Sequence, residues 1–152
     1  MFERFTDQAK KAMALAYHAA RDQDDKVVDE EHILIGLVKA RGGAYALIER
    51  LEVSPTRLLQ DFEGSLHPGS HEFRSNQIPF TEAAKSCLET ALRITVDLQR
   101  PGIDTSILLL ALTELRTKSA ETLERHGVTA QAVRAALEDP PLESSPPPSL
   151  GA

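Results

Sequence analysis

Apolar residues return at helical spacing through most of the chain. Ala9, Ala12, Met13, Ala16 and Ala20 make one stripe, which predicts an amphipathic helix. Thr6 is placed to cap it, its hydroxyl accepting from a first-turn amide, and the acidic run Asp22-Gln23-Asp24-Asp25 ends it. Asp29 precedes a second helix, Glu30 to Ala40, whose early acids suit a helix N-terminus; Gly42-Gly43 is expected to stop it. A short helix follows from Ala44 to Leu51. Ser54-Pro55 opens a fourth, with proline at the first helical position, where its missing N–H costs nothing.

The second half repeats the plan. Thr81 caps a helix reaching about Gln99, Arg100-Pro101-Gly102 breaks it, and Asp104 or Thr105 opens the next. That helix is apolar nearly all round (Ile107, Leu108, Leu109, Leu110, Ala111, Leu112, Leu115), which predicts a central core helix. Ser119 to His126 and Thr129 to Glu138 complete the set, with Gly127 as a C-terminal stop.

These two halves are copies. Phe5-Thr6-x-x-Ala9-Lys10 returns 75 residues later as Phe80-Thr81-x-x-Ala84-Lys85, and Ala16/Ala91, Asp29/Asp104, Leu34/Leu109, Glu49/Glu124 and Val53/Val128 keep that register without a gap. The pattern predicts an all-α fold of two tandem four-helix repeats, each burying what the other cannot bury alone. Repeat one covers 1–63 and repeat two 80–138, within a single domain over 1–138. Glycine, proline and serine mark 64–79 as a linker. Five of the nine prolines fall after Asp139, so 139–152 reads as a disordered Pro/Ser-rich tail.

Composition narrows the function. One cysteine, Cys87, rules out a disulfide framework. A net charge of −6 without a basic stripe argues against nucleic acid. The first 20 residues carry charge throughout, and no apolar run nears the ~20 residues of a membrane span, so a soluble cytoplasmic protein with no membrane partner is expected.

The search for chemistry turns up little. Gly64-x-x-x-x-Gly69 is followed by Ser70-His71, so the lysine of a phosphate loop is missing and ATP should be neither bound nor hydrolysed. Glu31-His32 lacks the spacing of a metal site, and His67 and His71 share no helix face. Cys87 falls on a buried stripe and reads as a core thiol. No catalytic residue, metal or cofactor is assigned, and no enzyme is expected. Phe2 and Phe80 stand just ahead of long helices. On composition alone, packing onto the helix that follows is favoured over an exposed aromatic patch.

Met1-Phe-Glu-Arg-Phe-Thr-Asp-x-Ala9, Glu31-His32-Ile-Leu-Ile-Gly-Leu37 and Ile78-Pro-Phe-Thr81 with Ala84-Lys85 resemble the N-terminal domain of the Clp/Hsp100 unfoldases, the ClpC branch in particular, over residues 1 to 138. The resemblance implies an all-α double repeat in pseudo-twofold arrangement. It implies a non-catalytic module that binds proteins or peptides: degradation substrates, adaptors, or the Clp unfoldase itself. In full-length members two ATPase modules follow. The proline-rich ending does not look like a linker into one, so a free-standing adaptor, competitor or decoy is expected ahead of a detached domain.

The aromatic patch that takes cyclic-peptide antibiotics in relatives corresponds to Phe2 and Phe80, with Lys85 beside it, and Lys10 joins them as a candidate; this favours the exposed patch after all. The family's phosphoarginine sites correspond to Asp29-Glu30-Glu31-His32, where the acid Glu31 is kept, and to Asp104-Thr105-Ser106-Ile107, where it is lost. Phosphoarginine binding should therefore be weak or absent.

Overall fold

The computed structural model describes residues 3–22, 27–65 and 79–137. Phe2, most of the linker and the proline-rich tail lie outside the described residues, and the expectations for them stand untested. Among the described residues eight helices follow in order: α1 (Asp7–Asp22), α2 (Glu30–Ala40), α3 (Gly43–Arg50), α4 (Pro55–Ser65), α5 (Glu82–Asp97), α6 (Thr105–Glu114), α7 (Lys118–Arg125) and α8 (Ala130–Leu137). The fold is all-α.

Local chemistry sets most helix starts. Thr6, Thr81, Thr117 and Thr129 each accept a hydrogen bond from the amide three residues on, at 3.1–3.2 Å. Asp29 caps α2 in a capping box whose other half is His32, and Asp104 caps α6 by accepting from the Ile107 amide. The end of α2 differs from expectation. Arg41, not glycine, takes the left-handed conformation (φ 54°), while Gly42 caps α3 and Gly43 is its first residue. Gly42 has no side chain to offer, so Thr105 of α6 caps α3 from the other repeat: its Oγ1 accepts from the Ala44 amide at 2.9 Å.

The repeats are locked by a reciprocal exchange. The lead-in to α1 pairs with the α5–α6 turn, Thr6 N donating to the Ile103 carbonyl (3.0 Å) and Ile103 N to the Arg4 carbonyl (2.8 Å). The lead-in to α5 pairs in the same way with the α1–α2 turn: Thr81 N donates to the Val28 carbonyl (3.0 Å) and Val28 N to the Pro79 carbonyl (2.9 Å). Phe5 corresponds to Phe80 and Val28 to Ile103, so the two bridges are related by the 75-residue register. This is the pseudo-twofold arrangement expected from the duplication.

Helix α6 is the hub. Its residues Ile107 to Leu112 are fully buried, and it packs on α3 and on α1 and α2 of repeat one as well as on α5, α7 and α8. Helices α1 and α2 approach closely because both surfaces are small. Ala9, Ala12, Ala16 and Ala20 are buried on α1, and a Cβ on Gly36 of α2 would press into the Ala12 carbonyl and stand 2.8 Å from the Ala16 nitrogen.

Candidate functional site

One face of α1 carries Lys10, Met13, Ala14, Tyr17 and His18, spaced i, i+3, i+4, i+7 and i+8. Phe80 closes over this face, and together the six residues line an open, predominantly apolar pocket of about 480 Å³. That is within the usual size for a ligand cleft. Phe80 is positioned by backbone rather than by its ring: the Val28 bridge fixes the segment before it, and Thr81 after it caps α5 and donates to Asp29 Oδ1 at 2.7 Å. The pocket therefore exists only because repeat two lends its lead-in to repeat one.

Of the site residues expected from the sequence, the structure brings Phe80 and Lys10 together. Phe80 is half-buried and Lys10 exposed at the rim. Lys85 is not in the lining; its ammonium lies 3.6 Å from Glu82 on an exposed turn of α5. Glu31 is half-buried at the start of α2. Sequence reasoning missed Met13, Ala14, Tyr17 and His18 as a surface. Met13 reads as part of the core stripe, and it is indeed buried, but one edge of it faces the pocket. The available signal was Tyr17: an aromatic beside the alanine stripe at the spacing of Lys10 and Met13.

The described lining offers an apolar floor with a cation at its edge and no carboxylate. It can hold an apolar or aromatic side chain of a peptide. His32, singled out from the sequence beside Glu31, is buried and structural, its Nδ1 accepting from the Asp29 amide at 2.9 Å. Cys87 is fully buried, and burial, reinforced by the nearby charge of Glu30, pushes its thiol up to about 12, which keeps it a neutral, unreactive core group at ordinary pH.

Glu30 is the perturbed acid. Only 6% exposed, it is raised to about 7, first by burial and then by the neighbouring Asp29 and Glu31 charges, with Ser119 tempering the rise. Its carboxyl is turned inward to the seam between the repeats, toward the start of α7.

Comparison with known proteins identifies the family and the fold. Residues 4–126 match the Clp repeat (R) N-terminal domain family. The chain is 35% identical over 137 residues to a ClpA homolog, an ATP-dependent Clp protease ATP-binding subunit, of Porphyra purpurea, and 32% identical over 136 residues to that of Trieres chinensis. These matches cover 89% and 88% of this chain but only 17% and 15% of the relatives. In fold it is similar to the Hsp104 N-terminal domain of Candida albicans (TM-score 0.78, 18% identity, 93% of this chain and 97% of that one). It is also similar to the N-terminal domain of the chaperone ClpD of Arabidopsis thaliana (TM-score 0.68, 19% identity, 91% and 97%).

Proposed function

This chain belongs to the Clp repeat (R) N-terminal domain family, and on that premise we propose that it is a non-catalytic module of a Clp unfoldase–protease system that binds proteins or peptides. The observation that carries the reading is the apolar pocket closed by Phe80 over α1, rimmed by Lys10. Its occupants are apolar side chains of degradation substrates or adaptors, or a cyclic-peptide antibiotic, whose apolar groups suit the same floor. In this reading the module acts as an adaptor, competitor or decoy toward those ligands, with the unfoldase as a further partner. The Met13, Tyr17 and Phe80 surfaces supply the contact area, and among the described residues no side chain in the pocket is arranged as nucleophile with base.

The test is a fluorescence-anisotropy titration with a labelled apolar cyclic peptide, on the wild type and on Phe80→Ala. Losing an aromatic anchor costs about 2 kcal/mol or more, close to a 30-fold weakening. The melting temperature should fall less than the affinity does, since the Val28 bridge is made by the backbone of Pro79 and Thr81 and the Phe80 ring is only half-buried. Unchanged affinity in the folded variant would refute the pocket as the binding site.

A second reading is favoured by the 15–17% coverage of the relatives: the substrate-recognition domain of a longer ATP-dependent unfoldase, working only when joined to it. The two differ in the native reading frame, in which an ATPase-coding region continuing past the codon for Ala152 supports the second.

A further inference from the structure

We propose that the seam between the two repeats is a proton-operated latch, tight while the Glu30 carboxyl is protonated and loosened on its Val28–Phe80 side as that carboxyl ionises. The geometry is specific to one side of the pseudo-twofold. Glu30 Oε2 and Ser119 Oγ are both buried and neither has a hydrogen-bond partner among the described residues, although Ser119, at the start of α7, stands near enough to act on Glu30. The Ser119 hydroxyl can give a buried carboxylate one hydrogen bond after a small adjustment, which tempers but does not cancel the cost of holding a charge out of water; the protonated carboxyl avoids that cost and can donate to the Asp29 carboxylate beside it.

The surroundings do not welcome the charge. Asp29 and Glu31, on the same helix start, are acidic; α5 presents the neutral thiol of Cys87; α7 presents only the uncharged Ser119. Burial first, and then the neighbouring Asp29 and Glu31, displace its titration toward neutrality, and no cation is among the described groups that act on Glu30 to offset them. Loosening reaches the bridge through short links. Asp29, next to Glu30, holds Thr81 through its Oδ1, and Val28, two residues away, pairs with the segment that carries Phe80. At the mirror position Glu30 is replaced by Thr105, whose hydroxyl caps α3, while Asp104 faces Arg100 at 3.9 Å. The Phe5–Ile103 bridge therefore has no ionisable group of this kind and serves as an internal control.

The experiment is amide hydrogen exchange by NMR from pH 6 to 8, corrected for intrinsic rate. Val28 and Thr81 amides report the latch; Thr6 and Ile103 amides report the mirror bridge. Over this range the protection of the first pair should fall about tenfold more than that of the second. Glu30→Gln, which keeps the shape and can donate to Ser119 at every pH, should remove the difference. Equal pH dependence of both bridges, or a difference that survives Glu30→Gln, overturns the proposal. Should that variant not fold, the carboxyl carbon of Glu30 is titrated in the wild type: a midpoint near 7 supports the latch, and one below about 5.5 overturns it.

Discussion

The two repeats share a backbone plan but solve its contacts with different side chains. In repeat one, α1 and α2 meet through alanines and Gly36, so closely that no Cβ fits. In repeat two the corresponding residue is Ala111, and Cys87, Ile94 and Thr95 stand where α1 has Ala12, Ala19 and Ala20. The second pair fills its interface with side-chain volume, the first with backbone contact. The seam differs as well: Thr105 reaches across to cap α3, whereas α7 is capped locally by Thr117, leaving Glu30 facing an α7 start whose cap is already supplied. A duplicated unit thus kept its register and diverged where the copies touch each other or a ligand. The pocket follows this rule. Phe80 is half-buried over α1, while its mirror residue Phe5 is 7% exposed, and the outer face of α5 leaves Leu92 and Val96 at 40% and 56% exposure.

The largest test of this contrast is Gly36→Ala. The new methyl would meet the Ala12 carbonyl and Ala16 amide, which are helix backbone and cannot rotate away, so the helices must part. A loss of about 3 kcal/mol or more in chemical denaturation is expected, the upper end for overpacking. Ala111→Gly should cost only about 1.5 kcal/mol, from glycine's helix penalty and one lost methyl. Similar losses in both repeats would show that the close approach is not the distinguishing feature.

Next in size is the pH dependence of stability that Glu30 imposes. Its folded pKa, about 7, lies above the ordinary 4.5. The folded state therefore binds the proton more tightly than the unfolded state, so the stability this gives is full below about 4.5 and is lost progressively as pH rises through about 7. The whole swing is up to about 3 kcal/mol. Glu30→Gln should flatten this part of the pH profile and be the more stable protein at pH 8. An unchanged slope in thermal melts of the variant would assign the pH dependence to other groups.

The helix starts are the third point of divergence. Glu31 of α2 corresponds to Ser106 of α6, which is 4% exposed and carries no charge, so repeat two offers no acid at that position for a guanidinium. In repeat one Glu31 is kept, but the carboxyl of Glu30 beside it is buried and turned inward, so Glu30 offers a phosphate no donor. Each lost charge-assisted bond costs about 1.5–3 kcal/mol. Calorimetric titration with free phosphoarginine should accordingly show no micromolar site; two such sites would overturn this expectation.

The helices and the duplication were legible in the sequence because both rest on local signals: periodic apolar stripes, threonine and aspartate caps, and a constant 75-residue register. Even the all-apolar α6 announced its central place. The pocket was half legible. Phe80 stood out as an aromatic ahead of a helix, but what it covers depends on the crossed bridge with Val28, a contact between residues 52 positions apart that no periodicity encodes. Glu30 reads from the sequence as one of the early acids that suit a helix N-terminus, and such an acid is usually solvated; only the packing of the two repeats against each other buries it. The end of α2 misled for another reason. Gly42 and Gly43 looked like the stop, yet Arg41 bears the left-handed conformation and the glycines begin α3.

The smallest effect concerns two helix ends that are geometrically alike. After α3, Val53 N donates to the Ile48 carbonyl (3.2 Å) and Glu52 N to the Glu49 carbonyl (2.9 Å); after α7, Val128 N donates to Leu123 (2.9 Å) and Gly127 N to Glu124 (2.9 Å). Both are the same six-to-one closure with a left-handed residue at its corner, Glu52 at φ 62° and Gly127 at φ 91°. Only glycine adopts that corner without steric cost; an L side chain there gives up roughly 1–2 kcal/mol. Glu52 is exposed, so its side chain offers little packing in return. Glu52→Gly should raise stability by up to about 1 kcal/mol, the relief of strain less the extra entropy glycine brings to the unfolded chain. Gly127→Ala should lower it by about 1 kcal/mol. The two signs together are the test. If Glu52→Gly is destabilising in denaturant melts while Gly127→Ala behaves as expected, then Glu52 holds its corner through contacts that the backbone likeness of the two repeats does not reveal.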